Sequence, residues 1–315
     1  MNVDSHAHQH RDHAHRARDG KVLLIALAIT LGYAIVEAVG GAMLGSLALM
    51  SDAGHMLSDG LALGLAAFAA WLGARPAGKR HSYGFARAEV VAAFVNGLAL
   101  LLVVIFIAVE AVGRLLDPQP VGGLGVMVVA FVGLLLNLIV AFLIGRDAHD
   151  LNTRAAMLHV VGDIIGSVAA ITAGAVIYFT GWQPVDPLLS LVIAVLILAS
   201  TIRLLRDTLH VLMEGVPSGM RLEEISTALK GLEGVRAVHD LHVWTISSGQ
   251  AALSAHVELD DLARWPMLLE SARRMLQSRF EVAHVTLQPE QTGGINAGYR
   301  ARVRIVPQEP HGKHD

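Results

Sequence analysis

Six stretches of the chain are each long and apolar enough to cross a lipid bilayer: residues 22–44, 46–72, 88–116, 121–144, 153–180 and 184–205. A spanning helix needs roughly 20 apolar residues. Only helices and closed barrels satisfy their backbone hydrogen bonds inside lipid. These stretches are too long and too rich in Leu and Ala for barrel strands, so six transmembrane helices are expected over residues 21–210. The first run exceeds the apolar core of a secretory signal and no small-residue cleavage site follows it, so it reads as a retained helix. A His-rich tail (1–20) precedes the helices; a small soluble domain (211–305) and a flexible tail (306–315) follow them.

Composition narrows the chemistry. Of 315 residues, 16% are charged and 54% hydrophobic; an ordinary soluble domain is nearer a quarter charged. A net charge of −3 provides no basic field for a phosphate backbone, so nucleic acid is not an expected partner. The absence of Cys excludes disulfides, thiolate zinc fingers, iron–sulfur ligation and a cysteine nucleophile. It also speaks against Cu(I), which favours soft sulfur. His is abundant, with sixteen copies.

Lys and Arg set the orientation, because cytoplasmic loops are the basic ones. Arg11, Arg16, Arg18 and Lys21 lie in the tail, Arg75, Lys79, Arg80 and Arg87 between the second and third helices, Arg146 and Arg154 between the fourth and fifth, and Arg203 and Arg206 after the sixth. The intervening loops are short and nearly free of basic residues. Both termini are therefore expected in the cytoplasm, and the soluble domain with them.

That domain reads as helix 222–232, strands 235–246 and 251–259 joined by Ser247-Ser248-Gly249, helix 265–279 capped near Asp261, and a strand over 284–288. The order αββαβ suggests a small two-layer α+β sandwich.

Ionisable residues inside membrane helices are costly and by default functional. The second helix holds Asp52, His55 and Asp59, the fifth His159 and Asp163. Residues four apart on a helix lie within roughly 40° of each other. Each helix thus presents a His-x-x-x-Asp pair on one face. Two such faces packed together would offer two imidazoles and two carboxylates, the usual ligand count for tetrahedral zinc. The two carboxylates would offset a divalent charge. Asp52, about 20° from Asp59 around the helix, extends this face and could line the entrance. The competing reading is a hydrogen-bonded His–Asp pair that ties two helices together; one such motif favours neither, and its occurrence twice favours metal. Glu37, Asn96, Glu110 and Asn137 are further intramembrane polar residues, each open to pairing with a neighbour.

The N-terminal tail carries His6, His8, His10, His13 and His15, a pattern that captures divalent metal weakly. In the soluble domain His239, His256 and His284 could converge, or each could be an ordinary surface His. His239 and His242 are an odd number apart, so without a bulge they face opposite sides of their strand.

Several segments together resemble the cation diffusion facilitators, in particular the bacterial branch that exports zinc, cadmium and cobalt. They are residues 49–59 (LMSDAGHMLSD), 81–89 (HSYGFARAE), 150–163 (DLNTRAAMLHVVGD), 212–217 (LMEGVP), 239–244 (HDLHVW) and 284–290 (HVTLQPE). The resemblance runs from about residue 21 to 290. It implies a homodimeric exporter in the bacterial inner membrane, with six helices and a ferredoxin-like, metallochaperone-like cytoplasmic domain. It implies a transport site of His55, Asp59, His159 and Asp163, the ligand combination of zinc members. It also implies a regulatory metal site at His239 and His256, with Gln288 or Glu290 as a further ligand position and His284 as an alternative.

The expected activity is export of Zn2+, with Cd2+ and Co2+ as further substrates, in exchange for protons. Metal binding needs neutral His and ionised Asp, so protons compete for the ligands. No GxxxxGK[ST] occurs that would supply nucleotide energy, and no organic cofactor is implied. Zn2+ enters as substrate and as a regulatory ligand. An intramembrane metalloenzyme is the rival from another class, but catalytic zinc usually keeps an open position, and no HExxH is present. A pure metal sensor would gain nothing from costly charges buried in the membrane.

Overall fold

The computed structural model describes residues 25, 27–145, 151–247 and 249–292; the side chains of 144, 145, 151–156, 158 and 159 lie outside the description. The His tail and the 306–315 tail lie outside the described residues. Two compact units form. One takes in the helices up to Phe68 and from Ala92 to Arg206; the other takes in Ala69–Val91 and the chain from Asp207 onward.

The apolar runs fold as helices α1 (Leu27–Leu44), α2 (Leu47–Gly73), α3 (Ala88–Leu116), α4 (Gly123–Gly145), α5 (Leu151–Thr180) and α6 (Val185–Leu212), six among the described residues that are long and apolar enough to cross a membrane. Large apolar side chains such as Ile105, Phe106, Val109, Phe131, Phe142 and Leu196 point outward. In water such a surface would drive association; in a bilayer, lipid covers it. Helix α6 runs past the end of its apolar run at 205 to Leu212, because Arg203, Arg206 and Asp207 end the lipid-compatible stretch without breaking the helix.

The helices sort into two packing groups. Leu49 of α2 packs with Val126 and Ala130 of α4 and Ala170 and Ile177 of α5. Tyr33 and Ala34 of α1 pack with Met56 of α2, and Val140 of α4 with Val160 of α5. Leu100, Val104 and Ile107 of α3 pack instead with Ala194 and Ile197 of α6.

The second unit holds the αββαβ domain: α7 (Leu222–Lys230), β1 (Val235–Ser247), β2 (Gln250–Leu259), a 3-10 turn (Leu262–Arg264), α8 (Trp265–Phe280) and β3 (Val282–Gln291). The sheet order is β1-β2-β3, with β1/β2 antiparallel and β2/β3 parallel. Asp261 caps the 3-10 turn that leads into α8, accepting from the Ala263 amide at 2.9 Å. Strand β3 starts two residues earlier and ends three later than the 284–288 expected, because its outer residues complete the parallel pairing with β2 down to Gln291.

Alternation on β2 separates the two sheet faces. Ala251, Leu253, Ala255, Val257 and Leu259 are buried. The first three join Ile225 and Leu229 of α7 and Ala272 and Leu276 of α8 in one core, and Val257 and Leu259 pack with Leu268 of α8. Ser254, His256 and Glu258 therefore lie on the face without helices.

Candidate metal sites

In the membrane unit, His55 Nε2 and Asp59 Oδ2 are 3.6 Å apart, one turn along α2, and both side chains are about one-third exposed or less (27% and 34%). Asp163 of α5 is 5% exposed, a buried carboxylate in a helix that could span lipid. Asp52 lies against α5 at Gly166, where an added methyl would be 3.6 Å from Asp52 Oδ2. Gly166 is three residues beyond Asp163, so the polar side of α2 meets the Asp163 side of α5. His159 belongs to the unbroken helix α5, one turn before Asp163; its side chain lies outside the described residues.

Several other intramembrane polar residues have partners, although Glu37 Oε2 is buried without a hydrogen bond. Asn137 Nδ2 donates to Ser167 Oγ at 3.4 Å, which ties α4 to α5. Arg114 Nε donates to Glu110 Oε1 at 2.9 Å. The Tyr33 hydroxyl donates to the Val129 carbonyl at 2.9 Å and lies 3.4 Å from Glu37 Oε1. Asp186 was missed at the sequence level. It sits within a run counted as apolar, and the rule that singles out Asp163 applies equally to it.

The αββαβ domain gathers a second cluster. His239, His256 and Glu290 can each offer a ligand atom within 4.8 Å of the others. Glu290 spans the two rings: Oε2 is 3.0 Å from His239 Nε2 and Oε1 is 2.7 Å from His256 Nδ1. Glu258 Oε1 stands 3.6 Å from His239 Nε2. Burial alone would raise the Glu290 carboxyl, but the hydrogen bonds from His256 and His239 and their charge outweigh it and hold the group below the usual carboxylate range.

Sheet register explains the membership. His239 pairs with His256 across β1/β2, and Glu258 with Glu290 across β2/β3, all on the helix-free face. His284, expected as a candidate, does not join. It pairs with Ala252, four positions along β3 from the Gln288 that faces His256. At about 3.3 Å per residue that is roughly 13 Å away. Its ring instead meets the edge of Tyr83, with centroids 5.8 Å apart.

His239 and His242 do not face opposite sides. A register shift separates them, and Asp240 inside it takes φ 51°. This bulge adds one residue and returns His242 to the His239 face, opposite Ser254. Asp240 then bridges outward, 3.2 Å from His242 Nε2 and 3.9 Å from His256 Nε2.

Comparison with known proteins places this geometry. The family profile for the cation efflux transmembrane domain matches residues 23–213, and that for the cation efflux protein cytoplasmic domain matches residues 217–292. The chain is 40% identical over 289 residues to the cadmium, cobalt and zinc/H(+)-K(+) antiporter of Bacillus subtilis (strain 168), covering 90% of this chain and 91% of that one. It is 39% identical over 290 residues to the zinc transporter ZitB of Escherichia coli (strain K12), covering 91% and 92%. It is 41% identical over 280 residues to the metal cation efflux system protein CzcD of Cupriavidus metallidurans, covering 88% and 89%. The solved metal-bound C-terminal domain of the CzcD transporter aligns at 36% identity over 22% of this chain and 99% of its own, with a TM-score of 0.21. Two profiles that together span the helices and the small domain, with relatives matched over nine-tenths of their length, carry the assignment: the chain belongs to the cation efflux family, the cation diffusion facilitators.

Proposed function

We propose that this protein exports Zn2+ from the cytoplasm in exchange for protons, by alternating access to a site formed by His55 and Asp59 of α2 with His159 and Asp163 of α5. The carrying observation is Asp163, a carboxylate 5% exposed in a membrane-type helix, on the side of α5 that α2 approaches through Asp52 and Gly166. Burying such a charge is expensive, and a divalent ion offsets it. Imidazole nitrogens and carboxylate oxygens suit zinc, and accept cadmium and cobalt as well. The relatives' names, zinc transporter and cadmium, cobalt and zinc antiporter, agree with that donor set.

Exchange with protons follows from the ligands. A metal needs His neutral and Asp ionised, so its binding releases protons and acid expels it. An unperturbed His titrates near 6.5, within reach of the pH difference across an energised membrane. The protein is thus a transporter rather than an enzyme, with no organic cofactor. Its surroundings are the lipid of a bacterial inner membrane, with both termini in the cytoplasm, and it works as a homodimer. His239, His256 and Glu290 form a second, regulatory zinc site that reads cytoplasmic metal, and the His6, His8, His10, His13 and His15 tail captures metal weakly.

The test is Zn2+ uptake into proteoliposomes under an imposed pH gradient, comparing the parent protein with Asp163→Ala. Gradient-driven uptake that is lost in the variant supports the reading. Equal uptake in both makes the paired His-x-x-x-Asp motifs structural and overturns it.

A further inference from the structure

Polar side chains of the α3/α6 pair hold the turn between α1 and α2. Asp186, the second residue of α6, is fully buried. Its Oδ1 accepts from Ser46 Oγ at 2.5 Å and from the Ala48 amide at 3.4 Å; its Oδ2 accepts from the Leu47 amide at 2.7 Å. From α3, Arg114 Nη1 donates to the Gly45 carbonyl at 2.5 Å. Four consecutive residues, 45 to 48, are thus held by side chains of α3 and α6.

The chemistry of the grip is specific. The first amides of a helix have no partner within it, and the helix N-terminus attracts negative charge. For α2 that carboxylate comes from another helix. A capping side chain within the same segment would travel with α2; this one does not. Gly45 has φ 71°, and a methyl there would lie 2.8 Å from the Pro120 carbonyl oxygen, so the turn has no slack. The buried apolar clusters pack the two groups separately, apart from Val185 at the very start of α6, which sits beside the same end; farther along α2, a methyl at Gly54 would lie 3.6 Å from Val103 of α3, an apolar contact. Apolar surfaces can slide; a buried carboxylate on two amides and a hydroxyl has one position.

We infer that Asp186, seconded by Arg114, is the pivot of α2: a positioning residue that fixes the height and rotation of this helix end against α3/α6 while the rest of α2 swings. His55 lies eight residues from Leu47, about 12 Å along the axis at 1.5 Å per residue. A tilt about this fixed end therefore carries His55 and Asp59 through the motion that opens and closes the site. The inference rests on the transport-site reading above, and its experiment separates the two.

Full-length protein in proteoliposomes would be compared as parent, Asp186→Asn, Ser46→Ala and Asp163→Ala, with Zn2+ uptake normalised to correctly inserted protein and equilibrium Zn2+ binding measured alongside. An asparagine keeps the size but offers one acceptor oxygen where two are used. Asp186→Asn is expected to cut the maximal rate at least tenfold while changing KM and the equilibrium Zn2+ affinity less than threefold. Ser46→Ala, which removes a single bond, is expected to give a smaller loss of the same kind and keeps the idea testable if Asp186→Asn inserts poorly. An unchanged rate per inserted molecule overturns the pivot, as does a rise in KM with the rate retained, which would make Asp186 a ligand. Failure of Asp163→Ala to lose binding and uptake would sink the transport-site reading instead, whatever the Asp186 variant does.

Discussion

Gly123 and Gly174 bring α4 and α5 together backbone to backbone. A methyl on Gly123 would lie 2.7 Å from the Gly174 carbonyl oxygen, and one on Gly174 would lie 2.8 Å from the Gly123 carbonyl oxygen. Neither clash can be relieved by a side chain turning away. Gly174→Ala is therefore expected to destabilise the purified protein by about 1–3 kcal/mol, the usual cost of overpacking. Thermal unfolding in detergent reads it, and Gly162→Ala, which meets nothing within 4 Å, should leave the midpoint unchanged.

Zinc binding to the full-length protein should distinguish the residues of the helix-free sheet face. His256→Ala and Glu290→Gln are each expected to weaken one class of Zn2+ site at least tenfold, as loss of a ligand typically does. The sites that depend on Asp163 should be unaffected. His284→Ala should match the parent in titration calorimetry, because its ring sits with Tyr83. A loss of Zn2+ on removing His284 would contradict the register described above.

Asp240 tests the bulge. Its φ of 51° is tolerated by Gly and, among other residues, most readily by Asn and Asp. Asp240→Val should cost about 1–3 kcal/mol of stability, the penalty for holding a poorly suited residue in that conformation. Asp240→Gly should keep the fold while releasing His242 and His256 from their shared carboxylate. The imidazole resonances of those two residues are the readout, and unchanged shifts in both would refute the link.

Glu233 offers a pH signature. A hydrogen bond from Arg264, 2.8 Å away, together with its charge, holds the Glu233 carboxyl below its usual value. A depressed acid adds stability above its unfolded value of about 4.3 and loses it as pH falls through the folded value. Glu233→Gln should therefore have a slightly lower melting midpoint at neutral pH, with the gap closing in acid. Because both partners are exposed, the gap should be small and shrink with salt.

The helix count was legible because lipid imposes a length and a composition on every crossing, and the His55/Asp59 and His159/Asp163 spacing was legible because helical phase is regular. Four features were not. The close backbone approach of Gly123 to Gly174 joins positions fifty-one apart, where no local spacing marks it. Placing Glu290 rather than His284 beside His256 needs the parallel register of β2 and β3, a long-range choice. The Asp240 bulge reverses the strand phase that alternation assigns to His242, and a lone Asp within a strand gives no sign of it. Asp186 belongs with Asp163 as a buried ionisable group, but its partners Ser46, Leu47 and Ala48 lie about 140 positions away.

The cluster on the sheet draws one donor from each strand, β1, β2 and β3. His239 and Glu290 are 51 positions apart, with His256 standing 34 before Glu290. An ion held by all three closes two consecutive rings in the covalent chain, much as a cross-link would. The entropy removed by such closure belongs to the unfolded chain and grows only with the logarithm of ring size. An ion bound there would fasten the last strand to the first, the two edge strands that each pair only with β2, so that peeling either edge away would first require breaking a bond to the ion.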